Sequence, residues 1–161
     1  MNKDAIHIYA DHAGRFYSRQ YGFNPVAARL LGYLSVCDPM EQSINDLADA
    51  LLTSRSAINS AVAMLENMRL LQRSRPAGSR VDLVGINLDG ATGSKAFDNQ
   101  EYIDQGRLAR EGLELLKDAP AERRRILEEV KDLSDFLVQE MPLLEEKWQN
   151  HRRQLRGEKE D

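Results

Sequence analysis

The sequence predicts a mostly α-helical protein carrying one small β-hairpin. Three observations lead there. Apolar residues recur at three- and four-residue steps along most of the 161-residue chain. A single stretch, LLQRSR–PAGS–RVDLVGI, alternates instead around a Pro/Gly turn, the pattern of two paired strands. Aromatics make only 6% of the residues, too few for an all-β core, while charged residues make 30%, as exposed helical faces require.

Taken in order, Ala5, Ile6, Tyr9, Ala13, Phe16, Tyr17 and Gln20 outline a first amphipathic helix from about Asp4 to Gln20, closed by Gly22. Asn24-Pro25 reads as an N-cap with proline in the first helical position, opening a second, mostly buried helix, VAARLLGYLSV, that Asp38-Pro39 stops. Ser43 with Asp46 forms a capping box for a short third helix, INDLADALL. After a tight break at Thr53 a fourth runs to about Arg69 or Leu70, and the hairpin follows. Helix, tight turn, helix and hairpin in that order make a winged helix-turn-helix domain, over residues 24–90. Residues 89–100 read as a loop. A helix over about 101–117 follows, and Asp118-Ala119-Pro120 starts the last one. On it Ile126, Val130, Leu133, Leu137, Met141, Leu144 and Trp148 form one continuous stripe on a helix about 40 Å long or more at about 1.5 Å per residue. Pro142 removes one backbone donor there and presses on the carbonyl of Val138, so a kink is expected. The charged end, HRRQLRGEKED, is expected to fray.

Net charge is −4, but its distribution matters more. Residues 53–80 hold five arginines against one acid, Glu66, a net +4 inside an otherwise acidic chain. A basic window confines attraction for anionic polymers to one surface. With Ile58 facing inward, Ala61, Val62 and Leu65 share the core side of the fourth helix, while Ser56, Ser60, Ala63 and Asn67 lie opposite and Asn59 flanks them. No acid occurs from Thr53 to Leu65. Small and amide side chains there suit entry into a major groove; the alternative is an ordinary surface helix, which Glu and Lys usually dominate. Arg73, Arg75 and Arg80 surround the hairpin turn with no acid before Asp82, the composition of a wing tip that touches phosphates or enters a narrow minor groove. A solvated charged hairpin is the alternative.

At this point a resemblance becomes specific. GFNPVAARLLGYLSVCDP, then SINDLADALLTSRSAINSAVAMLENMRLLQRSRPAGSRVDLVGI, and the tail EGLELLKDAPAERRRILEEVKDLSDFLVQEMPLLEEKW resemble the GbsR-type subgroup of the MarR-like bacterial regulators, over roughly residues 16–150. The resemblance implies a homodimeric winged-helix repressor or activator of transcription, joined by its first and last helices. Residue by residue, Ser54, Arg55, Ser56, Asn59 and Ser60 match its reading helix and Arg80 the wing arginine after Gly78. Where Arg69 stands, that pattern more often has glycine; where Asn59 stands, a small residue.

The expected function is sequence-specific binding of a double-stranded DNA operator. The expected partners are that operator, a second copy through Ile126, Val130, Leu133, Leu137 and Leu144, and a small apolar or amphipathic effector. The expected organisation assigns residues 1–23 and 91–161 to dimerisation. A protein-interaction module of the same fold is the rival reading. No enzyme motif, phosphate loop or nucleophile elbow is present, so neither a catalytic residue nor a cofactor is expected. Asp4, His7 and Asp11, with His12, have helical spacing that a metal could use, but an exposed helix face more often has it by chance, and no metal is expected. Cys37 reads as a core cysteine, its thiol expected to be pushed up by the nearby charges of Asp38 and, further on, Glu41. With no apolar run near the ~20 residues of a membrane span and no signal segment, the setting expected is cytoplasmic, with no membrane partner.

Overall fold

The computed structural model describes residues 3–157. Its elements are α1 (Lys3–Tyr21), α2 (Pro25–Leu34), β1 (Gln42–Ser43), α3 (Ile44–Ala50), α4 (Arg55–Asn67), β2 (Leu71–Ser74), β3 (Leu83–Ile86), α5 (Leu88–Thr92), a 3₁₀ turn (Ser94–Phe97), α6 (Gln100–Leu115) and α7 (Ala121–Arg156). The chain divides into two compact units, 1–92 and 93–161.

In the first unit the local signals act as the sequence expects. The Asn24 side chain accepts from the Ala27 amide at 2.9 Å, with Pro25 in the first turn. The Ser43–Asp46 capping box is complete, and Asp46 also takes the Ser43 hydroxyl at 2.6 Å. α2 is nearly all buried and lies against α1. Their approach is close because Gly32 faces Ala13, where a Cβ would meet the alanine methyl at 2.5 Å. The core then gathers Leu30 and Leu34 of α2, Leu47 of α3, Ile58, Val62 and Leu65 of α4, and Leu71 and Val84 of the sheet.

Several expectations are corrected here. The hairpin belongs to a three-stranded antiparallel sheet of order β1-β3-β2, because Gln42 and Ser43 pair with Val84 and Leu83. Its second strand starts at Leu83, not Arg80, since residues 75–82 form the wing loop. Residues 89–100 are not one loop: α5 and the 3₁₀ turn occupy most of them. α4 ends at Asn67 and α2 at Leu34, each short of the expected end. The apolar residues of α1 split over two faces: Ala10 is buried, while Ile8, Tyr9 and Phe16 are exposed.

The second unit is an antiparallel helical hairpin. Gly106, Ala109 and Gly112 of α6 let α7 approach, and a Cβ at Gly112 would meet Leu127 at 2.7 Å. Ser134, fully buried, donates to Gln105 at 3.1 Å. Lys131 and Arg110 flank Asp135, and these two cations hold its carboxyl below the usual carboxylate range. α7 continues through Pro142, and the Val138 carbonyl that this proline leaves without a helical donor accepts from Asn99 Nδ2 at 3.3 Å. The tail expected to fray from His151 is helical to Arg156, closed by Gly157 at φ 69°; the last four residues lie outside the described ones.

Candidate nucleic-acid interface

α4 is built from its cap upward. Ser54 accepts from the Ala57 amide at 3.1 Å, which commits one lone pair of a hydroxyl expected at DNA to the helix start. Ile58, Ala61, Val62 and Leu65 are buried. Arg55, Ser56, Asn59, Ser60, Ala63 and Asn67 are all exposed, so the structure brings these expected reading residues onto one accessible side of α4.

The turn that aims α4 is tightly held. Thr53 donates to the Ala48 carbonyl at 3.0 Å and Leu52 to Asp49 at 3.3 Å, the paired bonds that close a helix through a left-handed residue. That residue is Leu52, at φ 51° and 90% exposed, where glycine would be unstrained. The Leu51 carbonyl, left over by this closure, accepts from Arg29 Nη1 at 2.8 Å, and Arg29 Nε meets Asp11 at 2.5 Å. One arginine of α2 thus ties α1 to the turn before α4. No local pattern marks this tie, because Arg29 lies 18 positions from Asp11 and 22 from Leu51.

In the wing, Leu71 pairs with Ile86 and Ser74 with Leu83. The turn closes with Ser79 donating to the Pro76 carbonyl at 2.9 Å, and Gly78 sits at φ 80°. The three wing arginines are not equivalent, contrary to the expectation of an acid-free tip. Arg73 donates to both oxygens of Glu66 at 3.1 Å, and Arg75 to Asp82 at 2.6 Å. The bond to Arg75 holds the Asp82 carboxyl below its usual range and raises the Arg75 guanidinium further. Arg80 is exposed, with no partner among the described residues.

The expected dimer stripe lies uncovered in its unit. Ile126, Leu133 and Leu144 are 66%, 56% and 52% exposed, whereas Val130 and Leu137 are half-buried. Phe136 and Leu143, which fall outside the periodic stripe, are exposed beside them. Two side chains of the metal face weighed in the sequence are otherwise engaged: Asp11 holds Arg29, and His7 stacks on Tyr33 with ring centroids 5.9 Å apart. Among the described residues no three His, Cys, Asp or Glu side chains group as a metal site, and no helix is long and apolar enough to cross a membrane. Cys37 is buried, its thiol donating to the Pro39 carbonyl at 3.2 Å and raised by that burial.

Known proteins share this arrangement. A family model described as "MarR family" matches residues 21–80, and one described as "MmpR5-like MarR family transcriptional regulator" matches residues 95–151. The HTH-type transcriptional regulator MmpR5 of Mycobacterium tuberculosis is 32% identical over 134 residues, 83% of this chain and 80% of that protein. The chain belongs to the MarR family of transcriptional regulators, as an MmpR5-like member. A solved structure described as a transcriptional regulator superposes with a TM-score of 0.74 at 28% identity, covering 92% of this chain and 99% of its own. As a MarR-family regulator the chain binds DNA to control transcription, in a family that is in general non-enzymatic. These matches support the MarR placement expected from the sequence and add the MmpR5-like one.

Proposed function

We propose that this MarR-family regulator acts in the cytoplasm as a homodimeric repressor. Each protomer lays α4 in the major groove of one half of a pseudo-palindromic operator. The observation that carries the reading is the exposed, acid-free side of α4, together with an exposed Arg80 that has no partner among the described residues. Asn59 and Ser60 read base edges, Ser54, Arg55 and Ser56 meet the flanking backbone, and Arg80 enters the minor groove or meets phosphate. The uncovered apolar faces of α1 and α7 are closed by a second copy. A small apolar or amphipathic effector tunes binding. Within the family, the pattern of residues 16–150 supports kinship with the GbsR-type branch.

Selection from random duplex DNA followed by footprinting tests this. Two half-sites with centres about 10 base pairs apart, or a multiple, are expected. On the selected site Asn59→Ala should cost about 1–3 kcal/mol and relax preference at one position. Arg80→Ala should weaken all sequences alike. Protection of a single asymmetric half-site, or unchanged preference without Asn59, overturns the geometry.

A further inference from the structure

Beside the reading helix lies a second basic surface, outside the arginine-rich window of residues 53–80. A cleft of about 740 Å³ opens between α1 and α2, with Arg15, Ser18 and Arg19 on one wall and Pro25 and Arg29 on the other. A smaller cleft of about 230 Å³ shares Pro25 and Arg29 and runs on to Leu52 and Thr53, the residue before the Ser54 cap of α4. Asn24, at the head of α2, also reaches α4 directly, its Nδ2 lying 3.6 Å from Met64 Sδ. Through Thr53 the basic wall adjoins the N-terminal end of the helix that enters DNA, while Asn24 meets the C-terminal half of that helix.

The charges in the cleft are unequal. Its one acid, Asp11, is taken by Arg29 at 2.5 Å, which leaves that pair neutral. Arg15 and Arg19 are exposed and have no partner among the described residues. They stand one helical turn apart on α1, so their side chains lie side by side. The first turn of α2, which opens here at Pro25, carries no acid, so its positive end adds to the same field. Two free guanidinium groups, the Ser18 hydroxyl and a helix end make a site for phosphate-type oxyanions.

We propose that this cleft seats backbone phosphates of the DNA flanking each half-site, held by Arg15 and Arg19. The occupant is the DNA strand, not a small anion, because the adjoining smaller cleft carries the same surface on to Thr53, the residue before the Ser54 cap of α4. A duplex strand also presents closely spaced charges that suit two cations one turn apart. The proposal rests on α4 being the reading helix. Arg15 and Arg19 would then widen the footprint and raise affinity without selecting sequence.

The test compares the full-length protein with the double variant Arg15→Gln/Arg19→Gln on the selected operator and on a scrambled duplex, at several salt concentrations. Both duplexes should bind about tenfold more weakly, with their ratio unchanged. The slope of log affinity against log salt should flatten by about 0.9 for each phosphate no longer neutralised. Protection should shrink at the outer edges of the footprint. Arg15→Lys/Arg19→Lys, which keeps the charge, should recover most of the slope, a rescue that a purely structural role would not give. If the double variant keeps the wild-type slope and footprint, the cleft is no phosphate site. The proposal fails equally if the variant loses only its response to a small carboxylate probe such as benzoate. If the wild type itself binds no duplex above background, the reading helix is misassigned and the proposal falls with it.

Discussion

Two non-glycine residues, Leu52 and Arg69, adopt left-handed backbone at φ 51° and 59°. Each follows a helix of the DNA-binding motif, and each conformation costs an L-residue about 1–2 kcal/mol. Arg69 stands where the resembled pattern more often has glycine, so the sequence did mark this position without revealing its geometry. The Arg69 carbonyl also fixes Gly90, where a Cβ would meet that oxygen at 1.7 Å. Arg69→Gly should therefore raise stability by up to about 1 kcal/mol, the relief of strain less the added freedom of the unfolded chain; a lower melting temperature would contradict it. In the wing, Asp82 holds Arg75, which the proposed reading would place at DNA. Its carboxyl is held below the ordinary range, so it is ionised at neutral pH, and the pair loosens only as pH falls through that lowered value. Asp82→Asn should free Arg75, tighten binding to all duplexes and steepen the salt dependence by about one unit. Unchanged salt dependence would mean that Arg75 stays away from phosphate.

At the scale of elements, what the sequence revealed was whatever is local. Asn24-Pro25, Ser43 with Asp46, and the three-four periodicity of α4 and α7 act within one or two turns, and the structure holds each of them. β1 escaped notice because two residues become a strand only by pairing with β3, about 40 positions later. The pairs Arg73–Glu66 and Arg75–Asp82 escaped for the same reason: each spans seven residues that only the folded wing brings together. The exposed side of α4 was legible because burial follows helical phase, whereas the partners of the wing arginines depend on tertiary geometry. Arg29 is the clearest non-local case, linking α1, α2 and the turn before α4. Arg29→Met keeps an apolar stem but removes both bonds, leaving Asp11 and the Leu51 carbonyl without that partner. It should lower stability by about 1–2 kcal/mol and lower specific DNA affinity more than non-specific affinity, because the strained Leu52 turn loses its tether. Titration of the operator and a scrambled duplex beside a thermal melt separates the two effects; an unchanged affinity ratio would reduce Arg29 to a stability role.

For the whole molecule, the apolar side chains left exposed call for a partner more than any single contact does. Ile8, Tyr9 and Phe16 on α1, and Ile126, Leu133, Phe136 and Leu144 on α7, are each about half exposed or more. Exposed apolar residues scattered singly are ordinary, but a run repeated along one long helix marks an interaction surface. A second copy is the partner that the proposed two-half-site operator requires, since a two-fold axis repeats both the stripe and α4. Leu133→Glu combined with Ile126→Glu places two carboxylates in that stripe without disturbing the packing of α6 on α7, which uses Leu127 and Ser134 instead. The variant should keep its helical signal yet sediment as a monomer, because burying two unpaired charges costs several kcal/mol at an interface. Its operator affinity should fall by orders of magnitude, as each half-site must then be bound separately, while binding to a scrambled duplex drops far less. Should the variant remain a dimer with full operator affinity, the stripe is not the interface, and the exposed face of α1 becomes the next surface to alter in the same way.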